Sequence, residues 1–194
     1  MKGGSKMSLV PAFEIGLWNA WIVTVFLVLI GMVPGFFISK ERRDKMGKWP
    51  PLNKTERILA LSTHVVIMPA AAIYSIFLAL KLGTAWFYVG IPVCFVAGVM
   101  AVIAYVNIIN TPPNAPATTG AYRISRHPLY FSAFLIYLGT GIACASWLFL
   151  LFAAAWIIMW NIVVPAEERG LVAEYGDAYR KYMNRTPRWI GIPK

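Results

Sequence analysis

The chain has 194 residues, 59% of them hydrophobic and only 13% charged, and a formal net charge of +10. A soluble domain carries about 25% charge, so the composition excludes an ordinary water-soluble globule and fits one domain held in a membrane. The basic excess is no nucleic-acid signature, since no basic stripe faces one way along any element.

No Asp, Glu, Lys or Arg occurs in residues 15–39, 58–80, 82–122 or 129–166. Each stretch exceeds the ~18–20 apolar residues that cross a bilayer. With no water to bond the backbone, such segments must be helices. The first predicts a span at about residues 15–38. It is longer than the h-region of a signal peptide and no small-x-small cleavage site follows it, so it reads as a span. Residues 40–57 form a basic interfacial loop that holds seven Lys or Arg and the run Trp49-Pro50-Pro51-Leu52, suited to anionic headgroups.

A second span is expected at about residues 58–80, with Pro69 as a kink. His64, its lone polar ring, is expected to bond a neighbouring helix rather than a metal. The third span runs from about 85 to 109 and ends where Asn107 to Pro116 turn polar and proline-rich, because prolines remove donors and stop helices. Gly90, Ala97, Gly98 and Ala101 offer it small surfaces for close packing. Cys94 and Cys144 lack metal or redox spacing and read as core residues, and no metal site is expected.

Residues 129–166 would make a rod of about 57 Å at ~1.5 Å per residue, too long for a core about 30 Å thick. Gly139, Gly141 and Ser146 allow a turn, so two short spans at about 129–144 and 147–165 are expected as a hairpin. The fold class is therefore all-α: a single polytopic membrane domain over 1–194 with five spans. After Pro165, Leu171, Tyr175, Tyr179 and Tyr182 recur at helical spacing among Glu174, Asp177, Arg180 and Lys181. That is an amphipathic surface helix. Fifteen of the 18 Lys and Arg fall in 40–57, in 110–128 or after 166, leaving Lys2, Lys6 and Lys81 opposite. The positive-inside rule then puts the N-terminus outside and the C-terminus in the cytoplasm.

Three polar clusters stand out: Arg126-His127-Pro128-Leu129-Tyr130, Glu167-Glu168, and Tyr179-x-x-Tyr182-x-x-Arg185-x-Pro187. Pro128 suits the first turn of a helix, where its missing N–H would be unpaired anyway. Arg126 and His127 then sit at a helix N-terminus, which attracts anions, and Arg adds a permanent forked charge. A hairpin brings Glu167 near His127. Alone, each cluster is read as an interfacial anchor, a local ion pair or a tyrosine belt; acidic groups beside a span are costly when buried, which favours function.

Taken together, the clusters resemble the isoprenylcysteine carboxyl methyltransferases and their phospholipid methyltransferase relatives, over roughly residues 119–193. The resemblance implies S-adenosylmethionine as cofactor, leaving as S-adenosylhomocysteine, bound in the half from about 114 to 194. It implies cofactor contacts at Asn114, Ala117, Tyr122, His127, Pro128, Leu129, Tyr130, Glu168, Tyr179, Tyr182 and Arg185, with Trp189 and Ile190 covering the adenine. Arg126 and Glu167 would be catalytic. The partners implied are the bilayer and a lipid-soluble acceptor entering from it, first the carboxylate of a prenylated cysteine. Eukaryotic members carry an arginine four positions before the acidic pair, where Val163 stands here; a phospholipid amine or another hydrophobic acid stays open as acceptor. A nicotinamide-dependent sterol-type reductase, whose tail looks similar, and a non-enzymatic small transporter or scaffold are the competing readings.

Overall fold

The computed structural model describes residues 7–9, 14–32, 36–46 and 50–193. Among these residues seven helices carry the fold: α1 Trp21–Met32, α2 Lys40–Met46, α3 Lys54–Ile76, α4 Ala85–Asn110, α5 Pro128–Ala143, α6 Trp147–Tyr175 and α7 Asp177–Arg185. Apart from two isolated bridges, no strand forms among the described residues. Three helices, α3, α4 and α6, are long and apolar enough to cross a membrane. Helices α1 and α5, of 12 and 16 residues, are apolar but shorter. Apolar side chains such as Val65, Val66, Phe95 and Ile158 stand exposed on the helix surfaces, as lipid-facing positions do and as the surface of a soluble monomer does not.

Helix bounds differ from the sequence expectation where polar groups cap or extend an apolar run. Helix α1 is shorter than residues 15–38. The Asn19 side chain donates to the carbonyls of Glu14 and Ile76, both at 2.7 Å, and Trp21 Nε1 donates to Gly16 O, holding the preceding residues non-helical. Residues 40–57 are not all loop: they hold α2, and α3 begins at Lys54. There Asn53 and Glu56 form a reciprocal capping box that satisfies two of the free amides of the first turn. Trp49 and the N-terminal Lys2 and Lys6 lie outside the described residues. Helix α6 does not stop at Pro165 but continues to Tyr175, where Gly176 at φ +56° ends it. At ~1.5 Å per residue α6 is about 43 Å long, so it outruns a core of about 30 Å and carries Glu167 and Glu168 beyond its apolar stretch. The amphipathic segment is thus split, its first half on α6 and its second on α7.

Helices α4 and α5 meet through small residues. A Cβ on Gly90 would strike the backbone of Gly139 and Ala143, and one on Gly139 would come 2.7 Å from Cys94 Sγ. The two backbones can approach so closely only because both positions lack a side chain. Helices α5 and α6 lie side by side, with Tyr137 beside Phe149 and Trp156 Nε1 donating to Tyr130 O at 3.0 Å. A core of Phe149, Trp156, Trp160, Val163 and Val164 runs along α6.

Candidate active site

The site begins where α4 ends. Asn107 accepts the Ala121 amide at 2.9 Å, and Gly120, at φ +56°, leaves no room for a Cβ against that same Asn107 side chain. This fixes the short helical turn Gly120–Arg123, which sets Tyr122. Ser125 then receives the His127 amide on its Oγ at 3.1 Å, and Pro128 opens α5 with His127 as its N-cap residue. The tail returns over this corner. Arg126 N donates to Pro187 O, Gly191 N donates to Ile124 O, and the Tyr182 hydroxyl donates to Tyr122 O at 2.6 Å.

Glu168 is the hub. Its side chain is only 4% exposed, yet it meets Arg126 at 2.9 Å, Arg188 at 2.7 Å and His127 Nε2 at 3.2 Å. Arg126 also donates from Nη1 to the carbonyls of Met183 and Thr186. A buried carboxylate surrounded by two guanidinium groups is compensated; stripped of either partner set it would be costly. The bond to Glu168 raises the Arg188 pKa further above its already high value. Glu167, next in the chain, faces the other way, 3.9 Å from His127 Nδ1 and 32% exposed.

Between α3, α5, α6, α7 and the proline loop lies a cavity of about 670 Å3, within the range of small-molecule sites. Of the residues singled out in the sequence, Ala117, Tyr122, Arg126, His127, Leu129, Tyr130, Glu167, Tyr179 and Tyr182 line it. Pro128 and Glu168 are buried behind the wall. Asn114 is exposed in the 111–119 loop, between lining residues Pro113 and Pro116. Arg185 lines a separate hollow with Arg123 and Lys181. Trp189 packs on His127 at 6.3 Å between ring centroids and donates to Asn161, while Ile190 is exposed.

The cavity also includes residues that sequence reasoning missed as a set: Pro50, Pro51, His64, Trp160, Gly170 and Glu174. His64 stood out as a lone polar ring, Glu174 as part of the amphipathic segment and the paired prolines as a break in a basic loop, but nothing in the sequence joined them to the site. Arg188 was missed as a partner of Glu168; its place in an otherwise apolar tail was the available clue.

The walls are chemically two-sided. Tyr130 stacks on Trp160 at 3.9 Å, giving broad ring faces, and Glu167 adds a carboxylate; both favour a positive centre. Arg126 Nε, Trp160 Nε1 and Tyr179 OH are buried polar atoms without a hydrogen-bond partner. They belong to lining residues, and buried donors call for acceptors. Burial raises the pKa of Tyr122, with Glu167 adding to it, and likewise of Tyr179 and Tyr182, so these phenols stay neutral donors at physiological pH. A small polar molecule with a cationic centre and several acceptor atoms fits these groups.

Residues 82–178 match the phospholipid methyltransferase family, half of the chain. The chain belongs to this family. The match spans α4, α5 and α6 and so holds the Arg126–Glu168 corner of the cavity. No curated protein matches the chain. Family membership makes this a membrane methyltransferase and points to S-adenosylmethionine as methyl source.

Proposed function

We propose that this chain transfers a methyl group from S-adenosylmethionine to a lipid-soluble acceptor at the membrane, and that the 670 Å3 cavity is where the two meet. The observation that carries the reading is one cavity lined by Arg126, His127, Tyr130, Tyr179 and Glu167, with Arg126 and His127 held from behind by the buried Glu168. When bound, S-adenosylmethionine supplies a methyl on a sulfonium, an activated electrophile. Tyr122, His127, Leu129, Tyr130, Tyr179 and Tyr182 form the wall that holds it, with Ala117 at the edge. Glu168 and Pro128 act from behind by fixing Arg126 and His127. Asn114 and Arg185 belong to the rim.

The catalytic roles fall to Arg126 and Glu167. Arg126 directs a donor at an anionic or carbonyl oxygen, and Glu167 compensates positive charge beside His127. The chain's remaining contribution is alignment and exclusion of water, which suffices for an in-line displacement. A prenylcysteine carboxylate is ionised at pH 7 and needs no general base.

A second acceptor, a phospholipid amine, is favoured by the two carboxylates on the cavity, Glu167 and Glu174. They attract an ammonium headgroup and repel a carboxylate. An amine must lose a proton before it attacks, and Glu167 is the base within the cavity.

In the membrane we infer five spans, with the short α1 and α5 crossing where the bilayer thins beside α3, α4 and α6, the N-terminus outside and the cavity cytoplasmic. The fifteen-to-three division of Lys and Arg supports this orientation. The test is a transfer assay with methyl-labelled cofactor against N-acetyl-S-farnesylcysteine and phosphatidylethanolamine. Base-labile product identifies an ester, base-stable product an amine. Protection of the protein from thermal unfolding by a nicotinamide phosphate, and not by S-adenosylhomocysteine, contradicts the reading.

A further inference from the structure

We propose that the hollow beside α7 holds the phosphate of an anionic phospholipid, at a site apart from the cavity in which methyl transfer is placed. Its lining follows from the face that α7 presents. Lys181, Tyr182 and Arg185 fall at helical spacing and so share one side of that helix. The short turn Gly120–Arg123 brings Arg123 to the same place, and Thr118 and Pro193 also line the hollow, which measures about 410 Å3. Tyr182 lines both the hollow and the cavity, so the two adjoin at that ring.

Two features set the ligand. The first is charge. Arg123, Lys181 and Arg185 are exposed; among the described residues none of them meets a carboxylate, and no carboxylate lines the hollow. The acidic residue of α7, Asp177, is bound to Arg180 at 2.9 Å. Like charges around one hollow repel one another, and a phosphate between them replaces that repulsion with attraction. Arg offers forked donors to phosphate oxygens, and Lys a compact charge. The cavity differs, since Glu167 and Glu174 line it. An ammonium or choline group therefore finds a counter-charge in the cavity and none in the hollow. The hollow selects a headgroup whose only charge is negative.

The second feature is the apolar surface next to these cations. Ile124 follows Arg123, and Ile192 precedes Pro193. Gly191 N donates to Ile124 O at 3.0 Å, which brings Ile190 and Ile192 alongside Ile124. Ile124, Ile190 and Ile192 are 39%, 53% and 92% exposed. Such a patch is unfavourable in water and favourable against acyl chains. It stands at the start of α5, where the charge-free stretch begins, and hence at headgroup level. Basic pockets at that level take anionic headgroups. A lipid uses both features, its phosphate in the hollow and its chains on the isoleucines, whereas free inorganic phosphate uses only the cations.

The full chain in maltoside micelles is titrated with dihexanoyl phosphatidylglycerol, dihexanoyl phosphatidylcholine and inorganic phosphate, each followed by the rise in unfolding temperature. Wild type is compared with Arg123→Gln/Lys181→Gln and with Arg57→Gln/Arg180→Gln, which removes the same charge at exposed positions that do not line the hollow. Wild type is expected to bind phosphatidylglycerol saturably and about ten-fold or more tighter than either other ligand. The hollow variant loses about ten-fold or more of that affinity, and each of its single substitutions about five-fold. The control stays within about two-fold of wild type. Without lipid the hollow variant unfolds near the wild-type temperature, since the two side chains are exposed and meet no carboxylate; the single variants keep the test intact if it does not. The proposal is overturned if the folded hollow variants bind phosphatidylglycerol as wild type does, or if the control loses as much as they do. It is equally overturned if phosphatidylcholine or inorganic phosphate binds wild type as tightly as phosphatidylglycerol.

Discussion

The two ends of the α5–α6 pair are held in opposite ways. At the turn between them the bonds are neutral and almost all backbone. Ser8 N donates to Ala145 O and Trp147 N to Ser8 O, Lys81 N donates to Ala143 O, and Ala20 N donates to Leu78 O. Asn19 adds two side-chain bonds to carbonyls. At the other end, Arg126, His127, Glu168 and Arg188 form a charged cluster, with Glu56 and Arg169 paired at 2.8 Å nearby. Both ends tie off the same helices. The neutral end shows that backbone bonds are enough to do so. The charges at the far end are costly to bury, and what they add is a fixed wall for a cavity: Arg126 and His127 are held from behind by Glu168, while Glu167 faces the cavity beside them.

This contrast can be broken most severely at Glu168. Glu168→Ala leaves Arg126 buried without its carboxylate, and removing one partner of such a cluster costs about 3–5 kcal/mol. Thermal unfolding in detergent is expected to fall well below wild type, with S-adenosylhomocysteine binding lost. Next is the close α4–α5 contact. Gly90→Val puts a branched side chain into the backbone of Gly139 and Ala143 and is expected to cost about 1–3 kcal/mol or more as overpacking. The cavity is then displaced, and both unfolding temperature and cofactor affinity fall. At the neutral end, Asn19→Ala deprives two carbonyls of their donor, with an expected loss of about 1–3 kcal/mol but unchanged cofactor affinity, since Asn19 is far from the cavity in the fold. A drop in affinity equal to that of Glu168→Ala would erase the distinction between the ends. Smallest is Arg180→Ala: its pair with Asp177 is exposed on α7, and such pairs contribute about 0–1 kcal/mol, so both readouts should stay near wild type.

Much of this was legible in the sequence for a physical reason. The span expected at about 85–109, within the charge-free run 82–122, corresponds to α4 within a residue or so, because bilayer solvation permits little else. The convergence of Arg126, His127, Glu167 and Tyr182 on one place followed from two runs of residues whose ends had to meet. The parts that were not legible depend on long-range contacts or on local capping. Helix α6 passes Pro165 because neither solvent nor packing there forces a stop, and Gly176 supplies it eleven residues later. The Asn53–Glu56 capping box extends α3 upstream of its apolar stretch. Arg188 finds Glu168 only because the tail folds back over residues 124–126. Pro50 and Pro51 reach the cavity because Gly170 leaves them room, its Cβ position lying 3.3 Å from Pro50. His64 joins it through a π-turn that no periodicity announces.

The central claim, that the cavity beneath this charged corner takes S-adenosylmethionine, is tested most directly by calorimetric titration of S-adenosylhomocysteine into the purified protein and into Tyr130→Ala, whose ring stacks between His127 and Trp160. The account predicts saturable one-site binding to the wild type and a loss of about ten-fold or more in the variant, the scale of one aromatic contact. Absence of binding to the folded wild type, or equal affinity in Tyr130→Ala, would contradict it.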